Sequence, residues 1–316
     1  MFEGKNVLVT GGAGFIGSNL VNRLVEDGAR VRATLHEREP HERNARAEYV
    51  RCDLLQPGDC AQVCADMDYV FLCAANTSGA AVMESTPLVH LTPNVIMNAR
   101  MLEAAYAAGV RKTLFISTNT VYPVSDQPVR ETDVTNEFFE KYFIVAWMKR
   151  FSEIMCEMYA TKIKKPMHTV VVRPANVYGP MDDFAWETSH VLPALIRRVV
   201  ERHDPITVWG DGRDVKDFIY VDDLVQGLLL TMDRVSGFDA ANLASGRGYC
   251  LRDLLDLIIR LDGYANARVE FDASKPTMIP KRLIDPSKAE KLLGFSAQTT
   301  MEQGLQKTIQ WYRSTL

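Results

Sequence analysis

The 316-residue chain has no uninterrupted apolar stretch approaching the ~20 residues that a bilayer-crossing helix needs. Its start, MFEGKNVLVTGG, is a short charged lead into an apolar run, without the long apolar core and small-residue cleavage site of a secretory leader. A basic excess is missing as well, since 36 Lys and Arg stand against 40 Asp and Glu, a net charge of −4. That balance speaks against a nucleic-acid surface, which draws on a basic stripe or patch. Cysteine is sparse, with six in all: Cys52, Cys60, Cys64, Cys73, Cys156 and Cys250. Only Cys60 and Cys64 lie close, spaced as helical neighbours without the paired-ligand pattern of a zinc site, so no metal is expected. Internal repeats and low-complexity segments are absent too. The expectation is a cytoplasmic protein with reduced, mostly buried thiols, no membrane association and no nucleic-acid partner.

What is present is an alternation. Short β-rich runs stand at 6–10 (NVLVT), 30–35 (RVRATL), 47–52 (AEYVRC), 67–73 (MDYVFLC), 112–117 (KTLFIS) and 168–174 (HTVVVRP). Helical patterns separate several of them: Asn19 to Glu26 stopped by Gly28, Asn94 to Ala108 ended at Gly109, and Asn136 to Lys165 ended by Pro166. Strand–helix alternation at this spacing predicts an α/β fold, a doubly wound parallel Rossmann sheet covered on both faces. Beyond Gly179 the texture changes to loops rich in Asp, Gly and Pro between short helices. A dinucleotide-binding domain is expected over 1–178 and a smaller α/β substrate domain mainly over 179–316, with the chain returning to the first at about 217–245.

Between the first strand and the first helix lies Thr10-Gly11-Gly12-Ala13-Gly14-Phe15-Ile16-Gly17. Gly11 allows a tight turn, Gly14 lets the backbone approach a pyrophosphate, and Gly17 lets the helix pack on the sheet. The helix start at Phe15 and Ile16 offers free N–H groups and partial positive charge to the phosphates. An NAD-selective carboxylate would stand at the end of the second strand, where this chain has Leu35 followed by His36, Glu37 and Arg38. With no acid there and cations nearby, a 2′-phosphate is accommodated, so NADP(H) is favoured over NAD.

These residues resemble the extended short-chain dehydrogenase/reductase family of NAD(P)-dependent nucleotide-sugar epimerases and dehydratases. The likeness includes TGGAGFIG at 10–17, CDL at 52–54, Ala74-Ala75, Asn94, RPANVYGP at 173–180, DFIYVDD at 217–223, NLASG at 242–246 and KLLGF at 291–295. SHVLPALIRR at 189–198, VWGDG at 208–212 and FDASKP at 271–276 look most like the GDP-L-fucose synthases, NADPH-dependent 3,5-epimerase/4-reductases of GDP-4-keto-6-deoxymannose. The resemblance implies cofactor contacts at Asp53, Leu54, Ala74, Ala75, Lys149 and Pro174. It implies nucleotide-sugar contacts at Thr118, Asn176, His190, Arg198, Trp209, Lys216 and Arg282, with His190 as an epimerase acid/base. Lys216 stands where arginine is usual, which weakens a bidentate phosphate grip.

The same resemblance implies a catalytic Ser or Thr, a Tyr, and a Lys one helical turn later, because a proton donor must reach the developing alkoxide. Thr118 and Lys149 take the first and last positions, but Val145 replaces the tyrosine and cannot donate a proton. Tyr142, seven residues before Lys149, is a substitute only if the helix starts late or bulges. Thr120 replaces the epimerase cysteine, and Asn119-Thr120 replaces the Asp-Glu of the dehydratases. The expected function is a nucleotide-sugar epimerase, reductase or both. The alternative is a catalytically impaired NADP-dependent binding protein of the same fold. The family also implies a homodimer through the 94–108 helix and the helix carrying Lys149.

Overall fold

The computed structural model describes residues 1–76, 86–275 and 278–316. Pro276, the last residue of the FDASKP stretch, therefore lies outside the described residues. The strands are β1 (Asn6–Thr10), β2 (Arg30–Leu35), β3 (Glu48–Arg51), β4 (Tyr69–Leu72), β5 (Lys112–Ile116), β6 (His168–Pro174), β7 (Asn176–Tyr178), β8 (Ile206–Trp209), β9 (Val215–Tyr220), β10 (Phe238–Leu243), β11 (Gly248–Cys250), β12 (Val269–Asp272) and β13 (Lys281–Arg282). The helices are α1 (Phe15–Glu26), α2 (Pro57–Cys64), α3 (Thr92–Ala107), α4 (Phe143–Thr161), α5 (Val191–Val200), α6 (Val221–Arg234), α7 (Leu251–Asp262), α8 (Ser287–Leu293) and α9 (Met301–Ser314).

Seven strands form one sheet in the order β10-β6-β5-β4-β1-β2-β3, every pair parallel. Strand side chains alternate between faces, and the central strands are buried on both, which is why their runs read as mostly apolar. Val7, Val9, Phe71, Leu114, Val170 and Val172 join the core on one face. Leu8, Val70, Leu72, Phe115 and Val171 join a second core on the other, with Leu102 of α3 and Cys60 and Cys64 of α2. Each side chain fully buried there contributes about 1.5–3 kcal/mol. The two α2 thiols are buried and free, and burial pushes them up to about 11 for Cys60 and about 12 for Cys64. They fill space in this layer as small apolar groups.

After β6 the chain builds two small sheets, β11-β9-β13 with β7 alongside β9, and the pair β12-β8. Val215–Tyr220 belongs to the first of these, whereas Phe238–Leu243 is the edge strand of the seven-stranded sheet. Helix α6 lies between them in sequence. No described helix is long and apolar enough to cross a membrane.

Three helix boundaries differ from the sequence expectation. Helix α1 starts at Phe15, four residues before Asn19, because the glycine turn leads straight into it. Helix α3 starts at Thr92, with Pro93 in its first turn, where the missing N–H costs nothing. Helix α4 covers 143–161 and not 136–165: Asn136 has φ +66°, which no right-handed helix continues, and 140–142 form a single tight turn.

Candidate active site

Gly11 closes the turn after β1 at φ +70°, and a Cβ there would meet the Ala74 Cα at 2.8 Å. Thr10 holds the same spot from inside: its Oγ1 accepts the N–H groups of Cys73 and Ala74, each at 3.0 Å. Ala74 is thus small because the glycine turn rests on it. Gly17 packs on the turn itself, since a Cβ would lie 2.1 Å from the Gly11 carbonyl oxygen. Contact with the sheet falls instead to Gly12, which the motif reading left without a role and which faces the Ala33 Cβ of β2 at 2.6 Å.

Gly14 caps α1 without any side-chain cap, and the first turn, which includes Phe15 and Ile16, holds no carboxylate. An uncapped helix start of this kind keeps backbone N–H groups and partial positive charge available to an anion. The residues present therefore fit a dinucleotide pyrophosphate.

Along the adenosine side, Leu35 is buried at the end of β2, while His36 and Arg38 are exposed. Arg38 makes no ion pair among the described residues, and it lines a crevice with Gly14 and Phe15. Asp53 is turned to its own loop: its carboxylate accepts from the Leu55 N–H at 2.9 Å and from Gln56 Nε2 at 3.2 Å. Those bonds lower its pKa, and His36 nearby adds to the effect. Leu54 is buried beneath it. Ala75 is followed by Asn76, whose N–H and carbonyl are both held by the buried amide of Asn94, at 2.8 and 2.9 Å. Asn94 is therefore a clamp in the first turns of α3 and not the residue that opens it.

The turn that carries Thr118 follows β5. Thr118 Oγ1 accepts the Thr120 N–H at 3.2 Å and lies 3.3 Å from the Thr120 hydroxyl. Asn119 Nδ2 donates to the Pro174 carbonyl at 3.0 Å, which ties the turn to β6. Lys149, buried on α4, donates from Nζ to the Ile116 carbonyl at 2.8 Å, two residues before Thr118. Burial pushes its pKa down to about 8, and the neighbouring Cys73 and Glu153 act the other way. Val145 sits half-buried one turn before it on the same helix.

Tyr142 is the N-cap of α4. Burial pushes its hydroxyl up to about 12, with Arg282 opposing and Asp214 reinforcing the shift, so it is a neutral phenol at ordinary pH. Its electrostatic neighbours thus belong to the later half of the chain.

Arg282 and Lys216 are paired Cα partners on β13 and β9. Burial lowers the pKa of each; Asp214 opposes the shift at Lys216 while Arg282 adds to it, and at Arg282 the hydroxyls of Tyr142 and Tyr122 oppose it. Lys216 contacts Asp214 at 3.1 Å. The Arg282 guanidinium donates to the carbonyls of Pro123 at 2.8 Å and Tyr122 at 3.2 Å, and its buried Nε has no partner among the described residues. Asn176 Nδ2 donates to the Asp217 carbonyl at 2.8 Å, so its amide is already engaged in holding β7 to β9.

His190 caps α5 by position, without a side-chain bond. It is solvent-accessible, yet surrounding protein lowers its pKa, with Asp183 opposing. Arg198 lies eight residues on; its guanidinium is 5.0 Å from the Trp186 ring centroid, with Arg197 at 4.1 Å from the same ring. Burial followed by Arg197 lowers the Arg198 pKa. Trp209 is 45% exposed at the end of β8 and makes no hydrogen bond or ring contact with the other site residues among the described ones.

The structure thus gathers Thr118, Lys149 and Pro174 around one turn, and Tyr142, Lys216 and Arg282 around another centre; it leaves Trp209 apart. Sequence reasoning missed Trp186, Ser117 and the pair Glu153–Arg173, and it read Asn119 only as a departure from the dehydratase pattern. Trp186 carried no family signal. Ser117 and Glu153 are side chains whose partners are distant in sequence: Ser117 meets Glu153 of α4, and Glu153 meets Arg173 of β6.

A Rossmann sheet with an uncapped glycine turn and a buried lysine on α4 is the arrangement of a dinucleotide-dependent enzyme class. Residues 7–244 match the NAD dependent epimerase/dehydratase family, and the chain belongs to it. It is similar to a probable GDP-L-fucose synthase of Oryza sativa, at 30% identity over 98% of this chain and 92% of the relative. Among solved structures it is similar to a UDP-glucose 4-epimerase of Thermotoga maritima with UDP-glucose, at 29% identity and TM-score 0.88, covering 98% of this chain and 99% of that one. A UDP-glucuronic acid 4-epimerase from Bacillus cereus, solved with UDP-glucuronic acid and NAD, gives 25% identity and TM-score 0.86, covering 98% and 100%. The cofactor class is NAD(P).

Proposed function

We propose that this chain binds NADP(H) and a GDP- or other nucleotide-linked keto-sugar, and catalyses epimerisation beside the ketone, its reduction, or both. The observation that carries the sugar-nucleotide part is the pairing of Lys216 with Arg282. A buried arginine and a half-buried lysine on neighbouring strands, with one carboxylate against the lysine, suit the negative charge of a diphosphate. Arg38, with no carboxylate at the end of β2, supports NADP(H) over NAD.

Bound NADPH supplies a hydride. Lys149 holds the ribose and places positive charge beside the reacting oxygen. Thr118 hydrogen-bonds that oxygen, and His190, accessible and held largely neutral, takes a proton from carbon. Val145 removes the usual proton donor, which leaves Tyr142, Thr120 or water to deliver the proton to the alkoxide. The exposed apolar face of α3 and α4 pairs two copies of the chain.

A second reading, favoured by Val145 and Thr120, is a cofactor-dependent binding protein without turnover. Incubation with GDP-4-keto-6-deoxymannose and NADPH in D₂O, read by mass spectrometry of the sugar, separates the two. A reduced sugar supports the reductase, and solvent deuterium in an unreduced sugar supports an epimerase working through His190. An unreduced, unlabelled sugar rejects both activities for this substrate.

A further inference from the structure

The loop between β2 and β3 carries five potential cations: His36, Arg38, His41, Arg43 and Arg46. Arg43 is engaged by Glu39, which also holds Arg51. Arg38 and His41 have no carboxylate partner among the described residues. Both line a crevice of about 600 Å³ that opens on Gly14 and Phe15, at the start of α1.

The opposite wall of this crevice is the C-terminal helix. The His41 ring meets Trp311 of α9 edge-on, centroids 5.0 Å apart at 89°. Trp311 in turn is braced by Phe184 at 5.9 Å, and Phe184 stacks on Tyr312 at 4.2 Å and 11°. Three of the acidic side chains that line the crevice have partners. Glu39 is held by two arginines, Glu201 by Arg197 at 2.8 Å and the Tyr312 hydroxyl at 2.7 Å, and Asp183 by Thr188 at 2.5 Å. Asp182 is buried, which favours its uncharged form.

We propose that His41, held edge-on by Trp311, is a second determinant beside Arg38 for the 2′-phosphate of NADP(H). This rests on the NADP(H) reading above and adds the C-terminal helix to it. A phosphate monoester accepts from both an imidazole N–H and a guanidinium, and an imidazole already fixed by a ring contact loses less side-chain freedom on binding. Selectivity for the phosphorylated cofactor is thereby set from both ends of the chain.

The test uses the full chain and needs no sugar substrate: calorimetric titration with 2′,5′-ADP and with 5′-ADP. The wild type is expected to prefer 2′,5′-ADP. His41→Ala, on an exposed loop, is expected to lose about tenfold of that preference with 5′-ADP affinity unchanged, the scale of one charge-assisted hydrogen bond. Trp311→Ala is expected to lose part of it and Trp311→Phe, which keeps an aromatic edge contact, to retain it. Full preference in His41→Ala, alongside its loss in Arg38→Ala, overturns the inference and leaves the NADP(H) reading standing. Equal loss for both nucleotides in Trp311→Ala and Trp311→Phe overturns the part given to Trp311. A wild type with no preference for 2′,5′-ADP overturns the NADP(H) reading itself, and this inference with it.

Discussion

The Glu153 carboxylate accepts from Arg173 Nε at 2.8 Å and Nη2 at 2.7 Å, with both side chains almost sealed from solvent. The pair touches both ends of the turn that carries Thr118. Glu153 also accepts the Ser117 hydroxyl at 2.5 Å, and Arg173 Nη1 donates to the Tyr122 hydroxyl at 3.1 Å. Tyr122 passes the contact on to Asn242 of β10. Both ends of the turn that carries Thr118 are therefore fastened to one buried ion pair.

Removing one partner of such a pair strands the other charge away from water, a cost of about 3–5 kcal/mol. Glu153→Leu is expected to lose about that much in urea denaturation, because Arg173 stays buried and unpaired. A loss under about 1 kcal/mol would show that Arg173 finds another partner and that the turn does not depend on the pair.

A different surface bears on assembly. Phe143, Trp147, Phe151 and Met158 are exposed by 48%, 36%, 44% and 48%, and their spacing sets them along one stripe of α4. Ile96 of the adjacent α3 is 39% exposed. A continuous apolar stripe of this kind marks an interface more often than an ordinary surface. The double variant Trp147→Asp, Phe151→Asp is expected to sediment as a monomer where the wild type sediments as a dimer. A monomeric wild type at micromolar concentration removes the pairing proposal.

The parallel sheet was legible because its central strands are buried on both faces, so their runs are mostly apolar; HTVVVRP coincides with β6, residue for residue. The glycine turn was legible because Gly11 and Gly17 face backbone that a Cβ would strike. The start of α4 was not, since Asn136 in a left-handed conformation leaves no mark on a helical apolar pattern. Nor was the engagement of the Arg282 terminal nitrogens by the carbonyls of Tyr122 and Pro123, which lie about 160 residues away and carry no side-chain signal. His41 belongs to no motif in the sequence, and its contact with Trp311 of the C-terminal helix spans nearly the whole chain.

Val145 and Lys149 provide the most direct test of the chemistry. They stand one turn apart on α4, about 6 Å along the axis, so a phenol at 145 would share the face of the buried ammonium. In Val145→Tyr, Lys149 would lower the pKa of the new hydroxyl and the hydroxyl would serve as the missing acid. Reduction of the keto-sugar by NADPH is expected to rise by about 10²-fold or more, within the range a positioned acid supplies. Lys149 also sets a pH limit: its charged form, favoured at low pH, is lost as pH rises through about 8, so kcat/KM should fall above that value in wild type and variant alike. A Val145→Tyr protein that binds NADPH as tightly as the wild type but reduces no faster would count against the reductase reading. It would place the chain with proteins that keep this fold for binding.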